Sequence, residues 1–154
     1  IGLQIARAAG ATVVGVCSAR NAELVRTLGA NDVVDYAQPN AYAGQAPFDI
    51  VLDCVGSDVG PYVRNMAPKG RYVSCNPSPG NLLRGLFNVF TARSVSAVML
   101  KSNADDLKLL DELYAAGKLR IMIDSRFPLA ELPAAWRRSM TGRVVGKVVV
   151  DVDR

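Results

Sequence analysis

Residues 4–36 read QIARAAGATVVGVCSARNAELVRTLGANDVVDY, and two periodicities alternate along them. Ile1, Ile5 and Ala8 or Ala9 recur at helical spacing up to Gly10, a residue suited to a left-handed helix cap. Thr12 to Cys17 is a β-branched run of strand length, short enough to be buried. Arg20 to Leu28 returns to the helical period. It turns Ala22, Leu24, Val25 and Leu28 to one face, with Gly29 after it and Ser18 or Asn21 as expected caps. Asp32 to Tyr36 is a second short strand. Helix, strand, helix and strand in such close order predict an α/β fold with parallel strands joined by right-handed crossovers.

The same alternation extends downstream. Phe48 to Val55 is a near-continuous apolar run that stops at Gly56, and Ser57 to Met66 is a predicted helix with Pro61 in its first turn. Gly70 to Cys75 is a strand followed by the turn-rich Asn76-Pro77-Ser78-Pro79-Gly80. Leu82 to Phe90 carries no clear period, and Val95 to Leu100 is a further strand. Asn103 to Ala116 is the plainest helix, with Asp105 and Asp106 in its first turn, Leu107, Leu110 and Tyr114 on one face, and Gly117 beyond its end. After Ile123 the pattern changes to Phe127-Pro128-Leu129, a short helix over Glu131 to Met140, and a strand over Val144 to Val150. The expected division is therefore 1–123 and 124–154.

Half of the 154 residues are apolar, which is enough for a core, and 21% are charged, which excludes a disordered tail. Lys and Arg exceed Asp and Glu by 18 to 14 but are scattered, so no nucleic-acid partner is expected. No apolar run approaches the length of a membrane span, so no membrane association is expected. The sequence has no histidine, which excludes Ser-His-Asp chemistry, histidine acid–base roles and histidine-ligated metal from these residues. Cys17, Cys54 and Cys75 are too far apart for a CxxC pair, so no metal site is expected, and they read as buried thiols of a reducing compartment. Asp105, Asp106, Asp111 and Glu112 fit a solvated helix face better than a carboxylate site, and Trp136-Arg137-Arg138 fits packing better than nucleic-acid contact.

Three stretches carry a family likeness: residues 4–36, FDIVLDCVG at 48–56, and GRVVGKVVVDV at 142–152. In order and spacing they resemble the medium-chain dehydrogenase/reductase superfamily. The likeness is strongest to its zinc-free, quinone-reductase-like branch, which includes the reticulon-interacting oxidoreductase type. The resemblance implies a Rossmann-type, doubly wound parallel sheet whose first strand, glycine loop and catalytic domain would precede Ile1. Residues 1–123 would then be a partial dinucleotide-binding domain, and 124–154 a C-terminal segment returning to the catalytic domain. No catalytic residue is expected within the chain, and this portion alone is expected to be inactive.

In such a fold the residue selecting the adenosine ribose lies about twenty positions after the glycine loop, which falls close to Cys17. An NAD-preferring chain would carry Asp or Glu there. Here Cys17 is followed by Ser18, Ala19 and Arg20, and a hydroxyl beside a guanidinium suits the 2′-phosphate of NADP. The resemblance adds Tyr36 to that phosphate site. It also puts the Val55-Gly56 backbone near the nicotinamide ribose and Cys75-Asn76 near the nicotinamide amide. The implied function is an NADPH-dependent oxidoreductase passing a hydride to a small-molecule quinone, enone or similar activated alkene. Two alternatives stand beside it: a zinc-dependent alcohol dehydrogenase whose ligands lie upstream, and a non-catalytic NADP-binding or interaction module. By analogy Val95 to Leu100 would be an edge strand able to pair two copies in a homodimer. The expected compartment is cytoplasmic, with the mitochondrion as the alternative.

Overall fold

The computed structural model describes residues 1–58, 60–76, 93–98, 101 and 103–152. The expectations for 82–90, for the turn at 77–80 and for the last two residues of the strand ending at Leu100 lie outside them. The chain divides into two units, residues 1–33 with 104–154, and residues 34–103.

The first unit opens with helix α1 (Gly2–Ala8), strand β1 (Val14–Cys17), a 3-10 turn (Ala19–Asn21) and helix α2 (Ala22–Thr27). α2 closes on β1 through the buried Gly15, where a side chain would overlap Val25 Cγ1. β1 forms a two-stranded sheet with β2 (Asp32–Asp35), and the backbone N–H of Asn31 donates to Val13 O at 2.8 Å. Neither Ser18 nor Asn21 makes the expected side-chain cap. The helix enters through the 3-10 turn, where Asn21 N–H donates to Ser18 O at 2.9 Å and Ala22 N–H to Ala19 O. Helix α4 (Ala104–Ala115) has Asp105 and Asp106 in its first turn and a Lys108–Glu112 pair at 4.0 Å, as a solvated face should. Its Leu107 and Tyr114 are also largely exposed.

The closing residues form one β-α-β crossover of β6 (Ile123–Pro128), α5 (Leu132–Met140) and β7 (Lys147–Asp151), the two strands pairing in parallel. β6 escaped the sequence reading because Ile-Asp-Ser-Arg-Phe-Pro mixes polar and apolar residues. One polar residue in it is functional to the fold: Asp124 accepts from Arg138 Nε at 2.8 Å, from Arg138 Nη2 at 2.5 Å and from the Val145 backbone N–H at 3.0 Å. The Arg138 bonds, then the Val145 N–H, hold the Asp124 carboxyl well below the usual carboxylate range. Arg138, read from sequence as a solvated or packing residue, is thus committed to the crossover, while its neighbour Trp136 is exposed. Gln4 ties α1 to the same unit by a reciprocal pair: its amide donates to Arg120 O at 3.0 Å and accepts from Arg120 N–H at 2.7 Å.

The second unit is a three-stranded parallel sheet in the order β3 (Phe48–Asp53), β4 (Met66–Ser74), β5 (Ser94–Ala97), with the short helix α3 (Gly60–Arg64) between β3 and β4. Among the described residues β5 ends that order. The predicted helix over 57–66 is shorter, and Met66 begins a strand instead. Pro68 disfavours helical backbone at Ala67, and Met66 pairs with Phe48 across an irregularity in the ladder. The core lies between α3 and the sheet, where Met66 and Tyr72 are fully buried against Val51, Tyr62, Val63 and Val95. Alternation along β3 sends Val51 and Asp53 toward that core, leaving Ile50 and Leu52 exposed.

Candidate functional site

The carboxyl ends of β3 and β4 are where a parallel sheet offers backbone groups to a ligand. The last strand-like bond there is Cys75 N–H to Asp53 O at 2.8 Å. Beyond it the Asp53 side chain takes over. Oδ1 accepts from Val55 N–H at 3.0 Å and Gly56 N–H at 3.1 Å, and Oδ2 from Gly56 N–H at 3.1 Å and Ser57 N–H at 3.0 Å. A carboxylate that collects three successive amides folds the chain into a tight turn directly after the strand. β4 supplies the other half: Tyr72 O–H donates to Oδ2 at 2.7 Å, and Ser74 Oγ lies 3.3 Å away.

Asp53 is only 6% exposed. Burial by itself would raise its pKa, but the Tyr72 hydroxyl and the Val55, Gly56 and Ser57 amides outweigh it and hold the carboxyl below its ordinary value. An ionised carboxylate with both oxygens so occupied organises a loop. It is not poised to exchange a proton with a substrate. Asp53 thus binds the local backbone and also Tyr72, Ser74 and Ser57, none of which the sequence reading named as a site residue. Their signal was a strand partner placing Tyr and Ser two residues apart, on one face, opposite the terminal Asp of an apolar run.

The turn brings four of the sequence-derived site residues together. Gly56 has φ +85, and a Cβ there would lie 2.8 Å from Asn76 O. Asn76 Nδ2 donates to Val55 O at 3.2 Å, and Asn76 N–H to Ser74 Oγ at 3.2 Å. Val55 is 78% exposed, so its backbone is held while its side chain faces outward. Cys54 and Cys75 flank this turn with their sulfurs 4.0 Å apart. Both are exposed, which corrects the expectation of buried thiols. Each follows the last paired residue of its strand, Asp53 and Ser74, and so lies past the end of the ladder. Desolvation, then the neighbouring Cys75 thiol and the Asp53 carboxylate, push the Cys54 thiol above its usual pKa.

Ser18 and Arg20 share the turn after β1. Ser18 is extended, at φ −75 and ψ 155, and Arg20 is exposed in the 3-10 turn and makes no ion pair among the described residues. Tyr36 follows β2 and is 63% exposed.

The donor set decides which groups could be held. At the strand ends Gly56 packs as bare backbone against Asn76, where any side chain at 56 would intrude, and this polar turn is chemically compatible with a dinucleotide. A zinc ion does not fit. The chain has no histidine, both Asp53 oxygens are engaged, and no three metal-binding side chains converge among the described residues.

Parallel strands joined by helices define an α/β protein of the Rossmann type. Residues 28–150 match the family described as zinc-binding dehydrogenase. The chain belongs to this family, within the medium-chain dehydrogenase/reductase superfamily, whose members bind NAD(P). It is 30% identical over 156 residues to the chloroplast envelope quinone oxidoreductase homolog of Arabidopsis thaliana, covering 97% of this chain and 47% of that one. It is also 30% identical over 172 residues to the mitochondrial NAD(P)H oxidoreductase RTN4IP1 of Drosophila melanogaster, covering 97% and 42%. The structure of the quinone oxidoreductase from Coxiella burnetii superposes with a TM-score of 0.85 at 31% identity, over 98% of this chain and 48% of that one. The chain thus spans about half the length of the relatives it matches. No helix among the described residues is long and apolar enough to cross a membrane.

Proposed function

We propose that this chain is the cofactor-binding portion of an NADPH-dependent oxidoreductase that passes a hydride to a quinone, enone or similar activated alkene. The observation that carries the reading is the Asp53-organised turn, which sets the Val55-Gly56 backbone against Asn76 at the strand ends. In this reading the turn forms the floor for the nicotinamide ribose, and Cys75-Asn76 border the carboxamide. Ser18, Arg20 and Tyr36 receive the 2′-phosphate. The exposed Arg20 brings a planar fork of donors to phosphate oxygens, and no acidic side chain at Cys17 competes for the ribose. When bound, the nicotinamide supplies the hydride. The residues of the turn would orient its ring, and Asp53 stays ionised within the turn without moving a proton. In this reading no residue of this chain is assigned an acid–base role or a substrate contact. The reading keeps a cytoplasmic compartment and a small-molecule substrate.

The test is a spectrophotometric assay of the whole protein with NADPH or NADH and a panel of quinones and enones. Oxidation of NADPH in preference to NADH, dependent on an acceptor, is the expected result. Binding without turnover on any acceptor would favour a non-catalytic module, and preference for NADH would remove the role given to Ser18 and Arg20.

A further inference from the structure

The proposed hydride transfer uses neither thiol, although Cys75 borders the proposed carboxamide site, and the fold brings the sulfurs of Cys54 and Cys75 together. Asp53 and Ser74 are the last register pair of β3 and β4, so the two cysteines are cross-strand neighbours one step past the ladder. The Cys75 N–H bond to Asp53 O and the Asn76 bond to Val55 O hold the two backbones side by side on either flank of the thiols. Their sulfurs stand 4.0 Å apart, and both residues are exposed. A disulfide needs the sulfurs to approach to about 2.05 Å, with Cβ atoms about 3.5–4.5 Å apart. The backbones are held by the flanking bonds, and because both residues are exposed, side-chain rotation is open to bring the sulfurs closer.

We propose that Cys54 and Cys75 are a reversible dithiol–disulfide pair, a redox modification site on the rim of the strand-end turn. The oxidant is a low-molecular-weight disulfide such as oxidised glutathione. One cysteine thiolate attacks it, breaking its sulfur–sulfur bond and releasing one reduced glutathione. The second cysteine thiolate then displaces the other glutathione from the mixed disulfide and closes the Cys54–Cys75 bond. Two protein thiols lose two electrons and two protons, and two glutathione thiols gain them. The pair closes because the second step is intramolecular between groups already in contact. Cys17 lies in a different unit and has neither cysteine as its strand neighbour. The inference stands on the sulfur geometry and does not require the cofactor reading.

The three cysteines fall in three separate tryptic peptides, 8–20, 27–64 and 72–84, which makes the site separable by mass spectrometry. The purified, fully reduced protein is equilibrated with oxidised and reduced glutathione in varying ratio, quenched by alkylation and mapped without reduction. The expected product is peptide 27–64 joined to peptide 72–84, lighter than the two thiol peptides by two hydrogen atoms and reversed by dithiothreitol, with 8–20 recovered alkylated. Cys54→Ser and Cys75→Ser should each abolish the cross-link and accumulate a glutathione adduct on the remaining cysteine, with unchanged melting to show that each variant folds. Stable glutathione adducts on both cysteines of the wild type, a link through 8–20, or alkylated thiols throughout the series would overturn the proposal.

Discussion

Replacing Asp53 by Asn keeps the shape of the side chain and removes its charge and half of its accepting capacity. Oδ1 faces the N–H groups of Val55 and Gly56, and Oδ2 faces those of Gly56 and Ser57 with the Tyr72 hydroxyl. Whichever position the new amide nitrogen takes, at least one backbone N–H meets a donor in place of an acceptor. A buried donor left unmet costs about 1–3 kcal/mol, and the surviving bonds drop from charge-assisted to neutral strength, losing about half their worth. The sum is about 3–5 kcal/mol, or roughly 6–20 °C in Tm for a protein of this size or larger. Because the folded-state pKa of Asp53 is lowered, its contribution is complete above the unfolded value of about 3.9 and is lost as pH falls through the lower folded value. Urea unfolding followed across acid pH should therefore show a shallower pH dependence in Asp53→Asn than in wild type, by up to about 1.4 kcal/mol per pH unit for one proton. A loss below about 1 kcal/mol at neutral pH, with an unchanged acid limb, would mean that the turn is held by something other than this carboxylate.

Tyr72→Phe removes a single donor to the same carboxylate and should cost about 1.5–3 kcal/mol by urea unfolding, with the buried ring otherwise retained. Gln4→Leu leaves both backbone groups of Arg120 without their amide partner, and a loss of about 1–3 kcal/mol is expected by the same method. Asp124→Asn should lower Tm and speed hydrogen exchange at Val145, whereas Arg126→Ala, which breaks only the largely exposed pair with Asp151, should shift stability by less than about 1 kcal/mol.

The alternation of periods was enough to read most of the fold. β1, β2, β3 and α2 lie close to where β-branched runs, helical spacing and glycines put them, because those signals are local. β6 was not legible, since its polar residues answer to partners far along the chain: Asp124 to Arg138 and Val145. The start of β4 was hidden for a similar reason. Met66 reads as a helix end until its pairing with Phe48 is known. In the candidate site, Gly56 and Asn76 could be named from the strand-end position and the family resemblance. Asp53 was legible only as the polar end of an apolar run. That it joins a buried Tyr72 and Ser74 to the glycine turn depends on cross-strand register, which no window of residues contains. The thiols were misjudged because small apolar neighbours suggest burial, while lying one residue past a strand end produces exposure.

The central claim is that the chain binds the dinucleotide and that Arg20 gives it a preference for NADPH. It is tested most directly by dissociation constants for NADPH and NADH, measured on the whole protein for wild type, Arg20→Ala and Gly56→Ala. Arg20→Ala should weaken NADPH by about 1.5–3 kcal/mol, the scale of a lost charge-assisted bond, and leave NADH nearly unchanged. Gly56→Ala strains a left-handed backbone position and pushes against Asn76, so it should weaken both cofactors alike. Equal losses for both cofactors in Arg20→Ala, or full affinity for both in Gly56→Ala, would contradict the account.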